Sequence, residues 1–173
     1  MSDAPAEPKA VHPLSTLPKS AKNIREWKVE YSNNDTRTKA MPWFWSEFYN
    51  DEEYSLWKLN YKYNDELTMT FMSNNLIGGF FARLEASIPY IFGAGCVYGE
   101  NNNNGITCAF VIRGQDYKAA FDVAPDMDSF DFIKLDSKNE EDRKFIEDVW
   151  DMGDEPVVVN GEPRTIVTGK VCK

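Results

Sequence analysis

Residues 91–113 read IFGAGCVYGENNNNGITCAFVIR. Two apolar runs, 91–98 and 106–113, are β-branched or aromatic at many positions, and between them stand Gly99, Glu100, Asn101, Asn102, Asn103, Asn104 and Gly105. Asn and Gly tolerate the positive φ angles that hairpin turns need, so the stretch reads as an antiparallel hairpin with a polar loop. Each asparagine side chain carries two N–H donors and an acceptor, more polar capacity than a turn requires, which makes the loop a candidate recognition site. A hairpin places Arg113 and Gln115 at the opposite end from that loop, so they form a separate candidate.

Outward from the hairpin, residues 130–135 alternate apolar with polar or charged groups, and 54–63 is rich in aromatics and leucine before the turn-like Asn64-Asp65; both read as strands. In the tail, 157–159 and 166–167 flank Asn160-Gly161 and suggest a small hairpin. Helices are expected over 20–31, over 43–49 with Pro42 in the first turn, over 70–86, and over 139–150, where Phe145, Ile146, Val149 and Trp150 share a face. Gly78 and Gly79 inside the third of these suggest that another backbone comes close. Ser73-Asn74-Asn75 could cap that helix, and Asn34-Asp35-Thr36 reads as a turn before a helix rather than a glycosylation site. The sum is an α+β fold, a single domain with a largely antiparallel β-sheet packed by helices.

A chain of 173 residues with 42% hydrophobic and 14% aromatic content can bury one core and is not of disordered composition. No apolar run approaches the roughly 20 residues that span a bilayer, and no secretory signal is visible, so no membrane insertion is expected. Residues 1–12 hold prolines, alanines and charges without apolar periodicity and read as a linker remnant before a domain over 13–173. The net charge is −9, yet residues 1–48 hold seven Lys or Arg against six Asp or Glu. Most of the surface should therefore repel nucleic acid and anionic lipid. One local exception is Lys19, Lys22, Arg25 and Lys28, which recur every third residue beside Ile24, Trp27 and Tyr31. This basic stripe is either a contact for RNA or an acidic surface, or a solvated helix face.

The chemistry of catalysis finds little support. Cys96, Cys108 and Cys172 form no CxxC and are expected as reduced thiols, with no structural zinc. His12, the sole histidine, lies in the linker-like start, leaving a serine or cysteine nucleophile without an imidazole base. Gly93, Gly95 and Gly99 are one residue too widely spaced for the dinucleotide fingerprint. Asp126, Asp128 and Asp131 lack the glycine and the distal glutamate of a calcium loop. No catalytic, cofactor or metal residues are assigned.

Residues 40–49 read AMPWFWSEFY. Trp43, Phe44 and Trp45 are either core anchors or a recognition surface, with Trp45 or Phe44 the candidates for an exposed anchor. With YSNNDTR before it, YSLWKLNYKYNDELTMTFMSNNLIGGFFARL after it, and then YGENNNNGI, VIRGQDYKAAFDVAPD and VNGEPRTIVTGKV, the chain resembles the carboxyl-terminal domain of the gamma subunit of eukaryotic translation elongation factor 1, in its fungal form. It departs at Ala21-Lys22-Asn23, usually more apolar, and at Met127, where tryptophan is common. The resemblance implies a non-catalytic scaffold domain of the cytoplasmic elongation factor 1B complex, whose other subunits perform guanine nucleotide exchange on elongation factor 1 alpha. It implies those subunits and elongation factor 1 alpha as partners, reached directly or through a transferase-like domain, with RNA or membrane-surface tethering through the basic stripe as the alternative.

Overall fold

The structure, a computed structural model, describes residues 24–50, 52–115, 117–151, 156–159 and 161–172. In chain order the first elements are α1 (Ile24–Asn33), α2 (Met41–Trp43), β1 (Tyr54–Tyr61), α3 (Thr70–Arg83), β2 (Ile91–Glu100) and β3 (Asn103–Arg113). They are followed by α4 (Tyr117–Phe121), β4 (Phe130–Leu135), α5 (Glu140–Trp150), β5 (Val157–Val159), β6 (Glu162–Arg164) and β7 (Ile166–Cys172).

β2 and β3 pair antiparallel from Ile91↔Ile112 to Glu100↔Asn103. Both are central in a five-stranded antiparallel sheet of order β4-β1-β3-β2-β7. Helices cover both of its faces, which is why these two strands read as unbroken apolar runs rather than an alternation: each successive side chain meets one core or the other. Phe92, Ala94, Cys96, Ala109 and Val111 face α1, the helix around Phe44 and α5. Ile91, Val97, Ile106, Cys108, Phe110 and Ile112 face α3 and Phe121. Gly93 makes the second core possible, because a Cβ there would stand 2.4 Å from the Phe110 ring. The ring instead lies across the neighbouring strand and meets Phe81 and Phe121 edge-on, at 5.6 and 5.0 Å between centroids.

The hairpin is longer than its sequence suggests. Gly99↔Asn104 and Glu100↔Asn103 are paired, so only Asn101 and Asn102 turn the chain, Asn102 at φ 63°. The tail also differs from expectation. β5 pairs with β6, whereas residues 166–167 belong to β7, which joins β2. Alternation in 166–172 is weak because β7 is only half-buried, so period gave no strand signal there.

The aromatic helix is continuous over 36–48, opening with a π turn at Thr36–Ala40 and closing with another at Phe44–Phe48 around α2. Asp35 caps it by accepting from Thr38 N and Oγ1, at 2.9 and 2.7 Å. Pro42 therefore sits inside the helix rather than in its first turn, at the junction where one hydrogen-bond register gives way to the next and a missing N–H costs least. α3 ends at Arg83, short of 86, and a 3₁₀ turn at Glu85–Tyr90 with Pro89 follows. What approaches Gly78 is the side chain of Lys170, whose Cε would lie 2.9 Å from an added Cβ, and not a backbone. Asn139 caps α5 by accepting from Glu141 N and Asp142 N. Trp150 at its end donates Nε1–H to the Ala109 carbonyl at 2.9 Å, tying the helix to the sheet centre.

Candidate functional site

At the asparagine turn several hydrogen bonds tie the end of the sheet to the chain around α3. Asn101 Oδ1 accepts from Thr70 N at 3.0 Å and Thr70 Oγ1 at 3.3 Å, capping α3 from a distant part of the chain. Asn102 N donates to the Thr68 carbonyl at 2.7 Å. Asn104, 6% exposed, accepts from Ser73 Oγ at 2.6 Å and donates to the carbonyls of Thr68 and Glu100 at 2.9 and 3.2 Å. Ser73, expected as a cap, is thus the buried partner of Asn104. Asn103 is exposed, and its carbonyl accepts from Arg164 Nη2. The polar capacity of Asn101 and Asn104 is spent on the protein itself, while Asn102 and Asn103 face solvent. Arg164 also lies over the Tyr98 ring at 5.2 Å beside a cleft of about 500 Å³ lined by Glu100, Asn103 and Glu162. Burial pushes the Tyr98 hydroxyl pKa up against the opposing pull of Arg164.

At the other end, Arg113 Nη1 donates to the Glu53 carbonyl at 2.6 Å and its guanidinium lies 5.8 Å from the Tyr54 ring. Gln115 Nε2 donates to the Tyr54 carbonyl at 3.0 Å, and its Oε1 accepts from Lys134 Nζ at 3.0 Å. Gln115, Lys134 and Tyr49 line an open cleft of about 530 Å³ with Asp136, Ser137, Lys138 and Asp142. These groups fix the β3 end and leave a mixed-charge rim.

Phe44 is fully buried, so it cannot serve as an exposed anchor. It meets Trp27 at 4.7 Å and Trp150 at 5.1 Å, because i and i+4 positions of the helix put Phe44 and Phe48 inward together. Trp43 and Trp45 flank it and are half-buried. Trp43 stacks on Trp27 at 6.4 Å, and Trp45 is covered by the Arg143 guanidinium at 4.6 Å. The indole N–H of Trp45 is buried with no hydrogen-bond partner among the described residues. Met127 packs half-buried against the second core, the position where methionine's adaptable side chain fills space readily.

Of the basic stripe, Lys19 and Lys22 lie outside the described residues, as do His12 and the linker-like start. Arg25 is exposed. Lys28 turns inward and donates to the Ile88 carbonyl at 2.6 Å, and burial lowers its pKa, with Cys172 opposing that shift and Arg25 adding to it. Cys96, Cys108 and Cys172 are free and buried. Burial pushes Cys96 and Cys172 up to about 12 and Cys108 well above the ordinary thiol value, so all three are protonated and poorly nucleophilic at neutral pH.

Sequence reasoning did not find a third cleft, of about 510 Å³, between β1, α5 and the β5–β6 hairpin. Lys58 Nζ lies 4.6 Å from the Phe145 ring there, and buried Asp148 is paired with Lys144 at 3.0 Å. A lysine inside an aromatic-rich strand was the available signal. Among the described residues no group of three or more His, Cys, Asp or Glu side chains could hold a metal ion, and no helix is long and apolar enough to cross a membrane.

An antiparallel sheet sheathed by helices, with its most polar motif holding one of those helices, defines an α+β domain. Residues 9–116 match the family model described as elongation factor 1 gamma, conserved domain, and the chain belongs to that family. It is 62% identical over 165 residues to elongation factor 1-gamma 1 of Saccharomyces cerevisiae, covering 95% of the chain and 39% of that relative. To elongation factor 1-gamma of Schizosaccharomyces pombe it is 53% identical over 170 residues, 98% of the chain and 40% of the relative. To elongation factor 1-gamma-A of Xenopus laevis it is 41% identical over 147 residues, 84% and 34% respectively. The chain therefore spans well under half the length of these relatives.

Proposed function

We propose that the chain is a non-catalytic interaction and scaffold domain, over 13–173, of the gamma subunit of the elongation factor 1B complex. In this role it supports the cytoplasmic delivery of aminoacyl-tRNA by helping to hold the exchange machinery together. The observation that carries the reading is the kinship with elongation factor 1-gamma proteins over 95% of the chain. The partners are the other subunits of the complex and elongation factor 1 alpha, reached directly or through the rest of the protein. The contact residues are drawn from the outward parts of Trp43, Trp45, Asn101, Asn102, Asn103, Arg113 and Gln115. Phe44 and Asn104 leave that set because both are buried.

The test is to immobilise the domain, pass cytosolic extract over it with and without nuclease, elute with salt and identify what is retained. Nuclease-resistant retention of elongation factor subunits is the expected result. Loss of all retained material on nuclease treatment would overturn the reading in favour of RNA.

A further inference from the structure

Among the described residues the exposed large apolar side chains are mostly scattered singly, as is ordinary for a protein surface. Tyr63, Met69, Phe71 and Met72 are the exception. They fall within ten residues of chain, at 43, 38, 60 and 52% exposure.

This segment is fastened to the sheet at several points. Asn64 Oδ1 accepts from Ile106 N at 3.1 Å. The Thr68 carbonyl accepts from both Asn102 N and Asn104 Nδ2, and Thr70 N is held by Asn101. Each of these side chains leaves apolar surface in water, yet the segment presenting them is bonded to the sheet end at Asn64, Thr68 and Thr70. A rigid turn that displays a phenylalanine between two methionines lowers the ordering cost of binding, with an aromatic anchor and adaptable thioethers beside it.

The charges around it narrow the occupant. Asp65 and Glu66 lie on the 3₁₀ turn Asn64–Glu66, and Glu100 lies beside the asparagine turn. All three are exposed and none is in an ion pair among the described residues; Lys62 is the one cation within 62–72, and Arg164, which shares the cleft of Glu100, is joined there by Glu162, so the carboxylates remain in excess. An acidic rim repels phosphate backbones and anionic lipid and attracts lysine and arginine. We propose that Tyr63, Met69, Phe71 and Met72 form the docking surface for a basic amphipathic segment of a different protein. Asn101, Asn102 and Asn104 serve it by holding the turn in place. This rests on the interaction-domain reading and adds to it a face that the contact residues proposed above do not include.

The test replaces Phe71 with photoreactive benzoylphenylalanine in the full-length subunit, irradiates the assembled complex in cells, and sequences the crosslinked peptide. The expected adduct is a segment of another polypeptide with apolar residues at helical spacing and flanking Lys or Arg. The Asp65→Lys, Glu66→Lys double substitution should lower its yield at least ten-fold, with thermal melting unchanged because both side chains are exposed. A second copy of this chain, a lipid, an acidic or uncharged segment, or no adduct above that from the same probe at exposed Val123, overturns the proposal. In parallel, the extract experiment is repeated with Phe71→Ser, Met72→Ser. Equal retention by both domains defeats this surface and leaves the scaffold reading standing; retention by neither defeats the scaffold reading itself.

Discussion

Replacing Asn104 with alanine tests whether the asparagine turn is a structural clasp. The substitution removes three hydrogen bonds, one from Ser73 Oγ and two to the carbonyls of Thr68 and Glu100. Each is worth about 1 kcal/mol net. It also strands the Ser73 hydroxyl, which is fully buried and retains only a long 3.5 Å contact with the Met69 carbonyl. An orphaned buried hydroxyl adds about 1 kcal/mol or more, so the total is about 4 kcal/mol. Urea denaturation followed by tryptophan fluorescence should show the midpoint falling by roughly 1–2 M with an unchanged slope. Ser73→Ala with Asn104→Ala should cost less than the two singles summed, by about 1 kcal/mol, since the double variant leaves no stranded hydroxyl. Asn101→Ala, which loses only the cap of α3, should cost about 1 kcal/mol. Asn103→Ala, whose side chain is exposed, should cost under about 0.5 kcal/mol. If Asn104→Ala proved as mild as Asn103→Ala, or if the double variant were strictly additive, the clasp would be refuted and the turn would again be a free recognition loop.

Phe44→Ala should destabilise by about 3–5 kcal/mol, since it empties the centre of an aromatic cluster; a loss under about 1 kcal/mol by the same urea assay would show that the helix is not anchored there. Gly93→Ala should be far worse than Gly161→Ala. At Gly93 a Cβ meets Phe110 at 2.4 Å and the Ala109 carbonyl at 2.6 Å, whereas Gly161 has nothing within 4 Å and suffers only its φ of 81°. Comparable melting temperatures for the two variants would contradict the described packing. Alkaline pH should destabilise the fold. Cys96 and Cys172 are raised from 9.0 to about 12, so between those values the folded chain holds thiol protons that the unfolded chain has released. The stability these thiols contribute is intact below pH 9 and is lost as pH rises towards 12, by about 1 kcal/mol per thiol per pH unit. A melting temperature flat from pH 8 to about pH 11 would argue that the thiols are not buried.

Local signals carried the central hairpin, the strands at 54 and 130 and the helix after Asn139, because each has a period or a cap inside its own sequence. The elements that escaped depend on distant partners. β7 is a strand because β2 lies beside it, and its half-buried residues show no clean alternation. The start of α3 is fixed by Asn101, more than thirty positions away, so Ser73-Asn74-Asn75 drew the capping argument wrongly. At the candidate site, asparagine chemistry was legible but its destination was not: sequence shows donors and acceptors without showing that Thr68, Thr70 and Ser73 meet them. Likewise the basic spacing around Lys28 was real, yet a lysine long enough to reach the Ile88 carbonyl turns away from the stripe it seemed to continue.

The two outer strands of the sheet, β4 and β7, both come late in the sequence. Until β7 arrives, β2 presents Gly93, Ala94, Gly95, Cys96 and Val97 along an uncharged edge whose N–H and C=O groups await a partner. Such an edge is a template for strand exchange with another nascent or partly unfolded copy. Once paired, it is replaced by a border carrying Lys170 and a register shift at Val97/Tyr98, features that discourage further strand addition. β7 thus acts as a selvedge, finishing an edge that would otherwise unravel into aggregates.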